Sequence, residues 1–86
     1  MRILLAEDER VLSDQIKKLL TAEGRIVDVA FDGQEACFLG STENYDMIIL
    51  DIGLPMRDGT SILKEWRSNG IATPVLLLTA RDGWSD

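Results

Sequence analysis

The sequence has no histidine and only one cysteine, Cys37. A single cysteine can form neither an intrachain disulfide nor a cysteine-based metal site, and the lack of histidine leaves soft or borderline metals such as Zn²⁺ without their usual ligands. No apolar run approaches the roughly 18 residues that span a bilayer, and no basic-then-apolar leader opens the chain. Membrane insertion and export are therefore not expected, and the cytoplasm is the expected location.

Basic residues are scarce as well. Nine lysines and arginines stand against 15 aspartates and glutamates, which gives a net charge of −6. The positive charges are scattered, with Lys17 and Lys18 as the only adjacent pair. Because neutralising a nucleic-acid backbone requires clustered lysine and arginine, this segment is not expected to bind nucleic acid directly.

What the sequence does contain is an alternation of short apolar runs and amphipathic segments. Its 86 residues, 45% of them hydrophobic and 28% charged, are typical of one small globular domain. The alternation predicts an α/β fold with a parallel sheet, right-handed crossovers and helices on both faces. Strands are predicted at residues 2–6, 25–30, 46–51 and from 73, and helices at 9–23, 32–39 and between 58 and 70.

Local signals predict how the helices pack, begin and end. The apolar stripe of the first helix is predicted to consist of Leu12, Ile16, Leu19 and Leu20. Asp32 and Glu35 have the spacing of an N-cap residue and its reciprocal partner at the start of the second helix. Gly40 is expected to follow the end of that helix, and Gly24 supplies a left-handed stop for the first.

Three of the apolar runs end in polar groups suited to metal or phosphate chemistry. Glu7 and Asp8 follow the first run, Asp51 ends the third, and Thr79 follows the fourth. Open α/β sheets bind ligands at the carboxyl ends of their strands, so these groups are expected to converge. Two carboxylates about 4 Å apart repel each other by about 4 kcal/mol at an effective dielectric constant of about 20, so the cluster must protonate in part or bind a cation. Oxygen ligands of this kind favour Mg²⁺.

The same groups predict phosphoryl chemistry. A phosphate-cradling loop would place glycine N–H groups after the first strand, but this chain has Glu7, Asp8 and Glu9 there, which repel phosphate unless a cation intervenes. With a cation bound, a carboxylate oxygen of Asp51 can attack a phosphoryl group and form an acyl phosphate. Thr79 can donate its hydroxyl to one of the phosphoryl oxygens.

Three segments together resemble the receiver domains of response regulators. Residues 3–9 are similar to the first strand and acidic pair of that family, 51–59 to its phosphorylation loop, and 74–80 to its fourth strand. The motifs agree in order and spacing along the whole chain. The resemblance implies a flavodoxin-like, three-layer fold with strand order 2-1-3-4, and residues 1–86 are expected to be a partial receiver domain.

The resemblance also implies a role for each site residue. Asp51 is the expected phosphoryl acceptor. Asp8 is expected to bind Mg²⁺ directly, Glu7 through water, and the backbone carbonyl of Gly53 to complete the protein ligands together with Asp51. Thr79 is the expected switch hydroxyl.

Partners and output follow from the same resemblance. The implied phosphodonor is a sensor histidine kinase, and the loop sequence is most similar to receivers that precede winged-helix DNA-binding domains, so DNA would be reached through another domain. Such a domain is not an enzyme beyond slow self-catalysed phosphorylation and dephosphorylation. The resemblance implies that the given sequence stops just before or inside the family's fourth helix, so that the aromatic switch residue of the fifth strand and the lysine after that strand are expected to lie outside it. The fragment alone is therefore expected to accept phosphate poorly and to form a homodimer or an element-swapped oligomer through its apolar last strand.

Two other functions remain open on the residues alone. An Mg²⁺-dependent phosphatase with an aspartate nucleophile usually carries a second aspartate two residues later as general acid, and this chain has Gly53 at that position. A pure interaction or dimerisation module would need none of the acidic groups. Cys37 is interpreted as a small apolar residue on a helix rather than as a redox sensor.

Overall fold

The computed structural model describes residues 1–78, in which short strands and helices alternate along the chain. The elements are β1 (Arg2–Ala6), α1 (Arg10–Ala22), β2 (Ile26–Ala30), α2 (Gly33–Thr42), β3 (Met47–Asp51), α3 (Gly59–Ser68) and β4 (Val75–Leu78). The strands form one parallel sheet in the order β2-β1-β3-β4. The predicted fold class and strand order are confirmed.

Successive side chains of each strand point to opposite faces of the sheet. Both faces therefore carry apolar side chains, and both are covered. Ile3 and Leu5 of β1 pack toward α1, whereas Leu4 and Ala6 belong to the core that α2 and α3 cover. Trp66 of α3 is fully buried in this second core. The near absence of polar residues in β1 and β3 reflects this two-sided burial.

The predicted apolar stripe of α1 is wrong at Leu19, whose side chain is 70% exposed. Ser13 is buried instead. With 3.6 residues per turn, Ser13 projects in nearly the same direction as Leu20, while Leu19 lies about 100° away from Leu20. The face that packs on the sheet is therefore centred on Ser13, Ile16 and Leu20.

The predicted end of α2 is also wrong, because the helix continues past Gly40 to Thr42. A Cβ atom at Gly40 would overlap the indole ring of Trp66 in α3. This glycine thus allows α2 and α3 to pack closely and does not end the helix.

The other helix-end signals behave largely as predicted. Asp32 caps α2 by accepting the N–H of Glu35 at 2.7 Å, but the Glu35 carboxylate accepts the N–H of Phe31 rather than that of Asp32. Gly24 and Gly70, with φ of 86° and 80°, follow α1 and α3 in the left-handed conformation that glycine adopts without steric cost.

Within the described residues β4 is an edge strand, and its apolar side chains are partly open. Leu76 is 51% exposed and Leu77 36%. Exposed apolar edges favour pairing with other chains. Among residues 1–78, no helix has both the length and the apolar content needed to cross a membrane.

Candidate metal centre

The pairing of β1 with β3 brings the predicted acidic residues together. Ala6 lies opposite Leu50 in the register of these strands, so the next residues, Glu7 and Asp51, leave the sheet at the same level. Asp8 follows in the bend that leads to α1. One carboxylate oxygen from each of Glu7, Asp8 and Asp51 can be chosen so that the three atoms lie within 4.8 Å of one another. The predicted convergence is therefore observed.

Backbone hydrogen bonds hold Glu7 at the centre of this cluster. Its N–H donates to the carbonyl of Ala30 at 3.0 Å, and its Oε2 accepts the N–H of Glu9 at 2.9 Å. Glu9 in turn caps α1 by accepting the N–H of Leu12. As a result Glu7 is only 3% exposed, while Asp8 in the same turn is open to solvent.

Asp51 is fixed at the end of β3 and is 7% exposed. Its Oδ1 accepts the N–H of Gly53 at 3.1 Å, which turns the following loop back across the carboxylate. The next residue, Ile52, donates its N–H to the Leu78 carbonyl in β4 and accepts the N–H of Gly59 at the start of α3. The nucleophile predicted from the sequence thus sits on a backbone held from both sides.

The three carboxylates of the cluster lie close enough to repel one another. Burial raises the pKa of Glu7 above its ordinary value, and the nearby carboxylates of Asp51 and Asp8 raise it further. The hydrogen bond from Glu9 opposes this shift only in part. In the part of the chain that the structure describes, every ion pair engages other carboxylates, so no lysine or arginine neutralises the cluster.

These observations fit a hard divalent cation. The donors are all carboxylate oxygens, partly buried and mutually repulsive, and no nitrogen or sulfur ligand is near in the group. Mg²⁺ prefers such oxygen ligands and retains several waters, for which the exposed side of Asp8 leaves room. Among residues 1–78 this is the one group of three or more acidic, histidine or cysteine residues close enough to hold a metal ion.

Two further site residues, Gly53 and Thr79, were predicted beside the carboxylates. Gly53 lies in the loop directly after Asp51 and is oriented by its N–H bond to that side chain, but the assignment of its carbonyl as a metal ligand stays a prediction. Thr79 lies outside the described residues. Leu78, the last described residue of β4, pairs with Asp51 across the sheet.

Sequence reasoning missed a polar cluster between α2 and α3. Cys37 is 8% exposed and packs in the core, as predicted, yet its thiol donates to Glu65 at 3.3 Å and accepts a hydrogen bond from Arg57 at 3.4 Å. Burial, followed by the Glu65 carboxylate, raises the pKa of this thiol, which disfavours the reactive thiolate. The sequence offered a signal only for Ser61 and Glu65, which lie four residues apart in α3 and so share one helix face; Arg57 precedes the helix.

Comparisons with known proteins identify the family of this chain. The sequence profile of the response regulator receiver domain matches residues 3–86. The response regulator protein PmrA of Pseudomonas aeruginosa is 50% identical over 86 residues, which are 100% of this chain and 39% of PmrA. The chain thus spans less than half the length of the curated relatives that it matches.

Solved structures of high similarity include a receiver domain and a response regulator. The receiver domain of the Francisella response regulator 1452 has a TM-score of 0.90 and 42% identity, over 98% of this chain and 69% of that one. The response regulator TrrA of Thermotoga maritima, solved in complex with Mg(2+)-BeF, has a TM-score of 0.87 and 36% identity, over 99% and 75% of the two chains. TrrA in complex with the histidine kinase ThkA gives a TM-score of 0.85 and 34% identity, over 99% and 73%.

Proposed function

Because the chain belongs to the response regulator receiver domain family, we propose that it accepts a phosphoryl group on Asp51 and so switches an output in a two-component system. The observation that carries this proposal is the convergence of Glu7, Asp8 and Asp51 at the carboxyl ends of β1 and β3. The chain would supply the larger part of one receiver domain.

Asp51 would act as the nucleophile. One of its carboxylate oxygens attacks the phosphorus of a phosphohistidine, an O–P bond forms, and the N–P bond breaks with its electron pair staying on the imidazole nitrogen. The hydrogen bond from Gly53 to Oδ1 holds the side chain in one orientation, and so reduces the entropy lost on reaching the attack geometry. The low exposure of Asp51 limits competing water around the acyl phosphate.

The cation would be Mg²⁺, held by Asp8 directly, by Glu7 through water, by Asp51 and by the Gly53 carbonyl. When bound, it supplies positive charge that offsets the negative charge of the phosphoryl oxygens. The raised pKa of Glu7 and the absence of a neighbouring cation among residues 1–78 support this assignment, as does the Mg²⁺-containing complex of the similar protein TrrA.

The partner would be a sensor histidine kinase, which the complex of TrrA with a histidine kinase supports. Thr79, which follows Leu78 in the sequence, would be the hydroxyl that responds to phosphorylation. A phosphoryl group adds about 1.5–2 negative charges, enough to shift an existing two-state equilibrium. The response would occur in the cytoplasm and would reach DNA through another domain of the protein.

The proposal is tested by intact-mass spectrometry of the full-length protein incubated with Mg²⁺ and a small phosphodonor such as acetyl phosphate. We expect one added phosphoryl group in the wild type and none in Asp51→Asn. Asp58→Asn is the matched control, because Asp58 lies in the same loop but serves as the N-cap of α3, a role that asparagine also fills. Labelling that persists in Asp51→Asn, or no labelling of the wild type, would contradict the proposal.

The alternative functions have less support. A phosphatase of the aspartate-nucleophile class lacks its general acid, because Gly53 stands two residues after Asp51. An interaction module without phosphorylation is favoured only by the exposed Leu76 and Leu77 of β4. Concentration-independent monomeric sedimentation would contradict self-association through this edge.

A further inference from the structure

One side chain ties the loop between β3 and α3 to both helices on that face of the sheet. Nη1 of Arg57 donates to Oε1 of Glu65 at 2.8 Å and to the sulfur of Cys37 at 3.4 Å. Its Nη2 donates to the hydroxyl of Ser61 at 2.7 Å and to the Ser61 carbonyl at 3.3 Å. Arg57 therefore bonds to α2 through Cys37 and to α3 through the other two residues.

The backbone of the same loop lies directly on the start of α2. The Pro55 carbonyl accepts the N–H of Gly33 at 2.8 Å and that of Arg57 at 2.9 Å. A Cβ atom on Gly33 would overlap the Arg57 carbonyl, so only glycine allows this approach. The loop is thus held at Pro55 and Arg57 by contacts with α2.

This anchored end of the loop is continuous with the acidic site. The loop begins at Asp51, whose side chain accepts the Gly53 N–H, and Ile52 accepts the N–H of Gly59 where α3 starts. Gly53 thus lies between a near end fixed by Asp51 and a far end fixed by Arg57. Movement at the far end would change where the Gly53 carbonyl points.

We propose that Arg57 is a positioning residue for the acidic site, holding the loop so that the Gly53 carbonyl stays available to a divalent cation. The inference rests on the proposed function, since that function assigns Gly53 as a ligand. The contacts require an arginine: two nitrogens of one planar guanidinium serve Glu65 and Ser61 at the same time. A lysine has one nitrogen and cannot reproduce this fork.

The test measures Mg²⁺ affinity by titration calorimetry in the full-length protein, for the wild type, Arg57→Ala, Arg57→Lys and Arg25→Ala. Arg25 is a matched control, because it also makes a 2.8 Å ion pair, with Glu23, and its side chain is 34% exposed against 31% for Arg57. We expect the Kd to rise about 10-fold in Arg57→Ala, as for other residues that support metal ligands. Arg57→Lys should be intermediate, and Arg25→Ala should stay within about twofold, because Arg25 precedes β2 at the amino end of the sheet, away from the acidic site at the carboxyl end.

A second readout needs no metal. Amide hydrogen exchange of residues 52–58, measured without Mg²⁺, should accelerate in Arg57→Ala and not in Arg25→Ala, because local opening of the loop becomes easier. A general loss of stability would instead accelerate exchange throughout the sheet.

The outcomes separate this inference from the proposed function. If the wild type binds Mg²⁺ and a folded Arg57→Ala has the same Kd as Arg25→Ala, the positioning role is overturned and the metal site stands. If the wild type takes up no Mg²⁺, the metal site fails and the inference fails with it. Should Arg57→Ala not fold, Arg57→Lys keeps the positive charge but loses the two-nitrogen fork, and an unchanged Kd in that variant would overturn the inference.

Discussion

Carboxylates lie at both ends of the sheet, but the groups next to them differ. Toward the amino end, Asp28 accepts hydrogen bonds from the Tyr45 hydroxyl and the Arg2 guanidinium, each at 2.8 Å. These donors, Tyr45 first, hold the pKa of Asp28 below its ordinary value. At the carboxyl end, Glu7 lies beside Asp51, and burial followed by the neighbouring carboxylates raises its pKa. Asp28, at what we call the satisfied end, has both a cationic and a hydroxyl donor, whereas the carboxylates of the unsatisfied end have no ion-pair partner among residues 1–78.

The contacts at the satisfied end stabilise the fold. Arg2 also pairs with Glu43 at 3.2 Å, donates its N–H to Asp46 at 2.7 Å and stacks on the Tyr45 ring. Burial, and then the bond to Asp28, raises the pKa of Tyr45 to about 12, so its hydroxyl remains a donor at physiological pH. These contacts join β1, β2 and the segment before β3. Natural sequences depart from such local consistency mainly at functional sites, and here the departure lies at Glu7, Asp8 and Asp51.

The largest effect should come from adding Mg²⁺. At a free Mg²⁺ concentration of 100 times the Kd, one-site binding to the folded state raises the free energy of unfolding by about 2.7 kcal/mol. Asp8→Asn should lose most of this gain, while Asp14→Asn, at an exposed aspartate of α1 paired only with Lys18, should keep it. Urea unfolding with and without MgCl₂ measures both. An equal gain in Asp8→Asn would mean that the cluster is not where the ion binds.

Removing a carboxylate from the satisfied end should have the next largest effect. Asp28→Ala leaves the nearly buried Tyr45 hydroxyl without its acceptor, and should lower the free energy of unfolding by roughly 1–2 kcal/mol. Adding Tyr45→Phe should cost little more, because the unpaired hydroxyl is then gone as well. Denaturant unfolding of the two single variants and the double variant completes the cycle. Additive losses would show that the two groups do not act as a pair.

The pH dependence of stability should separate the two ends. Without divalent cations, the contribution of Glu7 is fully present below its unfolded pKa of about 4.3 and is lost as pH rises through its raised folded pKa. The contribution of Asp28 is present above its unfolded pKa of about 3.9 and is lost as pH falls through its lowered folded pKa. Glu7→Gln should remove only the pH dependence of the free energy of unfolding that comes from Glu7. Its effect should be smaller than that of Asp28→Ala, because the glutamine side chain can still accept the N–H of Glu9. Unfolding at a series of pH values measures this, and an unchanged slope in Glu7→Gln would contradict it.

The sequence predicted the elements that depend on repeating patterns. Apolar runs at β1 and β3 located the sheet, and the residues that follow these runs located Glu7, Asp8 and Asp51, because parallel strands end at a common edge. The left-handed conformation of Gly24 was predicted from the local rule that a glycine often follows the end of a helix.

The sequence did not predict features that depend on neighbours in space. Gly40 has the local character of a helix end, and only the position of Trp66 on another helix explains why α2 continues through it. Leu19 fits the apolar period of α1, but the orientation of the whole helix leaves it exposed. The bond of Arg57 to Cys37 joins residues 20 positions apart, a separation that no local pattern encodes.

The smallest predicted effect concerns backbone strain at the unsatisfied end. Met56 has φ of 74° and is the one non-glycine residue of 1–78 with a positive φ, although its side chain is 71% exposed and gains little from packing. The left-handed conformation costs an L-residue about 1–2 kcal/mol, while glycine loses about 0.5–1 kcal/mol in chain entropy, so Met56→Gly should stabilise the protein by about 0.5 kcal/mol. Met56→Ala keeps the Cβ atom and should give no gain, which a comparison of the two thermal midpoints will show. A gain of equal size in both variants would point to the exposed side chain rather than the backbone.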